Sequence, residues 1–266
     1  MQKKINVAGG FGEMKRSTMK RGTSYPASAK IGKLNKAAEI TYGRLIEEAG
    51  ICWRQGKVQE ATLLLRKAIA VNTNHSEEVY YNLGLALQRQ GDLQAAIDAY
   101  RQALAIKPTC PTSLNNLGAA LREQGDLQAA VDSYQKALAF KPDYPQAYHG
   151  LGLALQEQGD LQAAIASYQK ALAFKSDYPQ VYYNLGLVLQ EQGDLQAAIA
   201  SYQKALAFKP DYPQVNLNLS LVQLLIGNYE DGWDLYEWRF RREKRSIQSH
   251  AHPQVERWDG HNLASG

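Results

Sequence analysis

Residues Leu155–Phe174 read LQEQGDLQAAIASYQKALAF, and the same twenty residues recur unchanged at Leu189–Phe208, 34 positions later. Other residue types keep this period over more of the chain: Gly84, Gly118, Gly152 and Gly186, and Tyr100, Tyr134, Tyr168, Tyr202 and Tyr236. A fixed period between about 20 and 50 residues is the sequence signature of a solenoid or array. We therefore expect a fold made of stacked copies of one unit.

Each copy has the pattern of two helices joined by a tight turn. In the unit 77–110, apolar residues recur at helical spacing on both sides of Gly91. Gly91 ends the first helix because glycine adopts the left-handed conformation without penalty. Asp92 caps the second helix with its carboxylate, and Pro108 ends that helix. Caps for later first helices are expected at Asp143, Asp177 and Asp211.

These units resemble tetratricopeptide repeats. The resemblance rests on the 34-residue period, the Leu83-Gly84 pair and its copies, Ala96 and Ala103 with Tyr100 between them, and the closing proline. It implies an all-α fold, a right-handed α-solenoid of stacked helix–turn–helix repeats. The repeats are predicted at about 42–75, 77–110, 111–144, 145–178, 179–212 and a divergent 213–246.

The two ends differ from the array, which we expect at 37–246. Residues 1–36 contain nine Lys or Arg against Glu13 alone, a net charge of +8, and are rich in Gly and Ser. This composition predicts a basic, disordered tail at 1–36. Residues 247–266 are expected to be a C-terminal tail or a truncated junction. Nucleic-acid binding through the basic ends is the least favoured function.

The first helices of such repeats line the concave side of the superhelix in this family. An asparagine recurs there two residues before the Leu-Gly glycine, or before Ser220 in the last repeat, and Gly150 interrupts the row. The row resembles the asparagine ladder of O-linked N-acetylglucosamine transferases, which implies that it holds an extended peptide segment. The alternative is that each amide only bonds its own helix or water. The row consists of Asn82, Asn116, Asn184 and Asn218.

Neighbouring positions complete the candidate peptide-binding groove. The position before each asparagine is aromatic in three repeats, which could select partners through ring contacts. Polar side chains follow four or five residues after the glycine. The aromatic set could equally be ordinary surface side chains of the helix. The two sets are Tyr81, His149 and Tyr183, and Arg89, Arg122, Gln156 and Gln190.

The last repeat has an apolar first helix followed by tryptophans, although the end of an array is expected to be polar. We predict a C-terminal interface with the tail, with a missing domain or with another chain; the alternative is a degenerate terminal repeat. Gly232–Arg239 and Trp258–Gly260 resemble the junction between bacterial tetratricopeptide repeats and a glycosyltransferase-like domain. The interface residues are Leu217, Leu221, Leu224, Leu225, Trp233 and Trp238.

No catalytic constellation is evident in the sequence. Gly9–Gly12 follows no strand, and His250 and His252 have no further ligands at useful spacing. We therefore expect no cofactor and no metal. Two cysteines, Cys52 and Cys110, in different settings favour free thiols and a cytoplasmic location. No apolar stretch is long enough to predict a membrane span.

The sequence predicts a protein- or peptide-binding scaffold that uses the concave groove and is not itself an enzyme. The alternative is the substrate-selecting N-terminal part of a glycosyltransferase-like enzyme whose catalytic half is absent. The expected partner is a protein or an extended peptide. A second copy or a downstream domain could bind through the apolar C-terminal helix.

Overall fold

The computed structural model describes residues 26–71 and 76–238, with side chains from residue 39 onward. Within these ranges the chain forms α-helices and no strand. The helices are α1 (Pro26–Arg54), α2 (Val58–Val71), α3 (Glu77–Gln90), α4 (Leu93–Ile106), α5 (Pro111–Gln124), α6 (Leu127–Phe140), α7 (Pro145–Gln158), α8 (Leu161–Phe174), α9 (Pro179–Glu191), α10 (Leu195–Phe208), α11 (Pro213–Leu225) and α12 (Tyr229–Tyr236).

The chain divides into two compact units, residues 1–176 and 177–266. The described part of the first unit contains α1 to α8, and that of the second contains α9 to α12. In both, consecutive helices pair as hairpins, and the first helix of a hairpin packs on the second helix of the hairpin before it. The all-α fold of stacked helix–turn–helix repeats is thus confirmed in each unit.

The first helix begins earlier than the sequence indicated. α1 starts at Pro26, so residues 26–36 are helical and the assignment of a disordered tail to them was wrong. Proline is favoured in the first turn of a helix, and the alanines and lysines that follow are good helix formers. α1 has 29 residues, whereas α2 has 14. Residues 1–25 lie outside the described part of the chain.

The turn inside each hairpin forms as predicted. Gly91 has φ 84°, and the Asp92 amide donates to the carbonyl of Leu87, which closes the end of α3. The Asp92 carboxylate accepts a hydrogen bond from the Ala95 amide at 3.3 Å. The same bond recurs at Asp126, Asp160 and Asp194.

The turn between repeats differs from the prediction. The residues that precede α7, α9 and α11 are tyrosines, and none of them makes a side-chain cap. Each of these helices begins with proline, which lacks one of the amides that a cap would satisfy. The capping role assigned to Asp143, Asp177 and Asp211 was therefore wrong.

In four repeats, a tyrosine of the second helix (α4, α6, α8 or α10) packs against a glycine of the first helix. The Tyr100 side chain is fully buried, and a Cβ atom at Gly84 would lie 2.5 Å from Tyr100 Cε1. A Cβ atom at Gly152 would lie equally close, at 2.5 Å, to Tyr168 Cε1. The recurring glycine therefore leaves space for an aromatic ring.

This packing predicts a different tolerance of alanine at equivalent glycines. We expect Gly152→Ala to lower the free energy of unfolding by about 1–3 kcal/mol, because the buried Tyr168 ring must shift. Gly118→Ala should be close to neutral, since its Cβ would lie 3.0 Å from Tyr134 and a helical alanine gains about 1 kcal/mol over glycine. Urea denaturation of both variants measures the difference. Equal effects would contradict this account.

Candidate binding face of the first helices

The candidate groove residues occupy equivalent positions on the first helices. Tyr81, His149 and Tyr183 are half-buried on α3, α7 and α9. Asn82 is only 5% exposed, whereas the other three asparagines of the row are half-buried. We call this set of positions the first-helix face and describe it separately in each unit. Asn82 is the asparagine of the row with least access to a ligand.

Two asparagines of the row form hydrogen bonds to the preceding repeat. Asn116 Nδ2 donates to the Tyr81 hydroxyl at 3.0 Å, and Asn115 donates to Asn116 Oδ1 at 3.1 Å. Asn218 Nδ2 donates to the Tyr183 hydroxyl at 3.3 Å. The amides therefore join neighbouring repeats in addition to any role toward a ligand.

The glutamines of the first-helix face are also fixed within the fold. The hydroxyls of the buried tyrosines donate to the Oε1 atoms of glutamines twelve residues earlier on the first helix. The Tyr168 to Gln156 bond is 2.8 Å long and the Tyr202 to Gln190 bond 2.9 Å. Tyr100 makes the same bond to Gln88 at 3.0 Å. These bonds satisfy the only polar group of each buried ring.

One repeat replaces this glutamine by Arg122. Its Nη1 atom donates to Glu157 Oε1 at 2.5 Å, and its Nε atom is buried without a hydrogen-bond partner. The Arg122 side chain is 27% exposed and that of Glu157 is 44% exposed. Burial raises the pKa of Tyr134 to about 12, and the Arg122 charge acts in the opposite direction. An ion pair between repeats thus occupies the position that glutamine holds elsewhere.

The interruption of the asparagine row at Gly150 accompanies this change. A Cβ atom at Gly150 would lie 2.5 Å from Tyr134 Cζ and 2.8 Å from its hydroxyl oxygen. The Tyr134 ring is also further from Gly118, at 3.0 Å from a built Cβ, than Tyr168 is from Gly152, at 2.5 Å. Tyr134 is therefore placed toward Gly150, in space that an asparagine side chain would need.

His149 lies beside this group. Its ring centroid is 6.1 Å from that of Tyr168, with the two planes tilted by 50°. Burial lowers the pKa of His149 to about 4, and the positive charge of Arg122 acts in the same direction. His149 is therefore neutral at physiological pH and presents an uncharged aromatic surface.

The remaining candidates lie apart from these networks. Arg89 is exposed and stacks over the Trp53 ring at 5.2 Å from its centroid. On the last repeat, Leu221 is 45% exposed, Leu225 70% and Trp233 58%, whereas Leu217, Leu224 and Trp238 are half-buried. The structure thus leaves an apolar surface at the end of the second unit.

The sequence also led to expectations about metal ligands, membrane spans and cysteines, which concern residues outside the first-helix face. Among the residues described, no three His, Cys, Asp or Glu side chains are grouped as metal ligands. Within the same residues, no helix is both long enough and apolar enough to cross a bilayer. Cys52 and Cys110 are free. His250, His252 and Gly9–Gly12 lie outside the described residues.

Two family models match the chain. The model described as TPR repeat matches residues 118–159 and 157–193, and the model described as Tetratricopeptide repeat matches 77–110 and 179–212. The latter two ranges have the bounds predicted from the 34-residue period. No curated protein matches the sequence significantly.

Solved structures of similar fold include three other repeat proteins. The crystal structure of MamA is 28% identical, with a TM-score of 0.57, and the match covers 61% of this chain and 95% of MamA. The pilF protein of Pseudomonas aeruginosa is 19% identical, with a TM-score of 0.67, over 79% and 95%. YrrB, described as a TPR protein with an unusual peptide-binding site, is 19% identical, with a TM-score of 0.54, over 66% and 91%.

The fold and the face of the first helices define a helical-repeat protein of the solenoid class. The matched models identify residues 77–110 and 118–212 as tetratricopeptide repeats. The glycosyltransferase-like junction stays a prediction from the sequence. Part of it, Arg239 and Trp258–Gly260, lies outside the described residues.

The neutral state of His149 predicts a pH-dependent stability. Its pKa in the fold, about 4, is below the unfolded value of about 6.5, so the unfolded chain binds the proton first as the pH falls. The stabilisation is complete above pH 6.5 and is lost between about pH 6.5 and 4. His149→Tyr introduces the tyrosine that two other repeats have at the equivalent position, Tyr81 and Tyr183. We expect this variant to lose about 2 kcal/mol less free energy of unfolding over this pH range. Denaturation curves measured across this pH range test it; parallel pH profiles would contradict it.

Arg122 stands where other repeats have glutamine, and Gly150 where they have asparagine. We expect substitutions at these two positions to have non-additive effects on the free energy of unfolding. Gly150→Asn alone should lower the free energy of unfolding by about 1–3 kcal/mol, because its side chain meets the Tyr134 ring. Adding Arg122→Gln restores the acceptor that the other tyrosines use and should recover about 1 kcal/mol or more of that loss. A double-mutant cycle measured by urea denaturation tests the coupling. Strict additivity would mean that Tyr134 does not respond to residue 122.

Proposed function

We propose that this chain is a non-enzymatic scaffold that binds a protein or extended peptide through the first-helix face. The observation that carries the proposal is the Asn116–Tyr81 and Asn218–Tyr183 pairing, which holds equivalent amides in fixed orientations in both units. Side chains that are already ordered lose little conformational entropy when a ligand binds. The same polar group is thus offered at repeated intervals.

The bonds within the fold leave these amides able to bind a ligand. A side-chain amide has two N–H donors and two acceptor lone pairs. Asn116 uses one donor toward Tyr81 and one lone pair toward Asn115, so one donor and one lone pair remain. A peptide backbone offers the complementary carbonyl and N–H whatever its sequence. The remaining groups therefore suit backbone recognition.

Other side chains on the face would select among peptides. Tyr81 and Tyr183 present half-buried aromatic rings, and the ion pair between Arg122 and Glu157 is partly open to solvent. YrrB is described as having a peptide-binding site, but at 19% identity that likeness concerns the fold alone. The proposal therefore depends on the side chains of this chain. A cytoplasmic location stays a prediction.

Peptide selection with matched variants tests the proposal. Peptides chosen from a phage-displayed random 12-residue library on the wild-type chain would be measured against Asn116→Ala/Asn218→Ala. Whichever unit a peptide occupies, the double variant removes its amide, and we expect the affinity to fall at least about tenfold, the equivalent of the two hydrogen bonds that one amide can make. Tyr81→Phe/Tyr183→Phe removes the same bonds within the fold but keeps the amides, so its loss should stay below about threefold.

Two further results bear on the proposal. Gln135→Ala/Gln203→Ala changes exposed positions on second helices and should leave the affinity unchanged. The proposal fails if the library yields no peptide that binds the wild type. It also fails if the asparagine and tyrosine variants weaken binding equally, because the amides would then act only through the fold.

A further inference from the structure

The outer surface of α12 is apolar at a position that is buried in the preceding repeat. Trp233 is 58% exposed, whereas Ile199, one repeat earlier, is 8% exposed in the same unit. α10, which carries Ile199, is followed by α11 packed against it. No described helix follows α12. The surface around Trp233 therefore continues the interface that each second helix makes with the next first helix.

Acidic side chains border this surface, which we call the α12 face. Tyr229, one helical turn before Trp233, is 64% exposed. The stretch 229–237 contains four acidic residues and no lysine or arginine. A helix that packs here therefore needs apolar residues on one side and positive charge beside them. The acidic residues are Glu230, Asp231, Asp234 and Glu237, all exposed.

The N-terminal half of α1 has this chemistry. α1 has 29 residues against 14 in α2, so about 22 Å of α1 extends past its hairpin at 1.5 Å per residue. In sequence, this half contains Lys30, Lys33 and Lys36 with Glu39 as its only acid. Its charge is therefore opposite to that of the α12 face.

The apolar residues of the same segment repeat the pattern of a first helix. The first helices of the second unit each have two fully buried residues seven positions apart, Val181/Val188 and Val215/Val222. Ile31 and Ala38 have the same spacing in the sequence, with Leu34 between them. Residues at this spacing share one face of a helix.

We propose that the α12 face binds residues 26–40 of a second copy of this chain, in the position that the first helix of another repeat would occupy. The contact joins the end of one copy to the beginning of the next. Such a head-to-tail contact generates a closed ring of two or more copies, or an open chain of subunits. This proposal is independent of peptide binding at the first-helix face.

Charge exchange in the full-length chain tests the contact. Sedimentation velocity of the wild type between about 1 and 100 μM should show species larger than the monomer, in a share that increases with concentration. Glu230→Lys/Asp234→Lys and Lys30→Glu/Lys33→Glu should each weaken self-association at least about tenfold. The chain with all four substitutions should return to within about threefold of the wild type, because the charges are again opposite.

Matched controls separate this contact from general effects of charge. Asp98 and Asp132 are exposed and occupy the repeat position of Asp234, so Asp98→Lys/Asp132→Lys should leave self-association unchanged. Trp233→Ala should weaken it without altering charge, and thermal unfolding should confirm that every variant is folded. The proposal is overturned if the wild type stays monomeric or if the fourfold exchange does not restore self-association.

Discussion

The packing of a tyrosine ring onto a glycine, in each of the four hairpins between residues 77 and 208, is the constraint on which the rest of the structure depends. The ring of Tyr168 fills the space at Gly152, and its hydroxyl reaches Gln156 on the same helix as that glycine. One contact thus sets how closely the two helices approach and also fixes a side chain on the first-helix face. Core packing and the candidate binding face are therefore coupled in every repeat that keeps the three residues.

The coupling explains how much the sequence could predict. The left-handed glycines and the aspartate caps act within a few residues, and the period of 34 repeats them along the chain. The helices and the inner turns could therefore be predicted from the sequence. The Tyr–Gln bonds join residues twelve apart across a turn, and the Asn–Tyr bonds join residues 35 apart. Such bonds depend on side-chain directions after packing, which periodicity does not specify.

The errors have similarly local causes. Asp143 has the residue type of a helix cap, but the Tyr144-Pro145 pair that follows moves the start of the helix beyond its reach. The charge of residues 1–36 suggested disorder, although its second part, from Pro26, has residues that favour a helix. In both cases composition was correctly described, and neighbouring residues decided the conformation.

Near-identical repeats do not present identical surfaces, because a substitution in one repeat changes which side chain fits at a contacting position of the next repeat. Arg122 replaces the glutamine that would accept from the Tyr134 hydroxyl, and it pairs with Glu157 of the next repeat. Gly150 then accommodates the ring where the other repeats have an asparagine. The gap in the asparagine row and the arginine at a glutamine position are therefore one structural change. A ligand bound to the first-helix face of this unit would meet the Asn116 amide and then a charged interruption, which gives an otherwise repetitive surface a defined register.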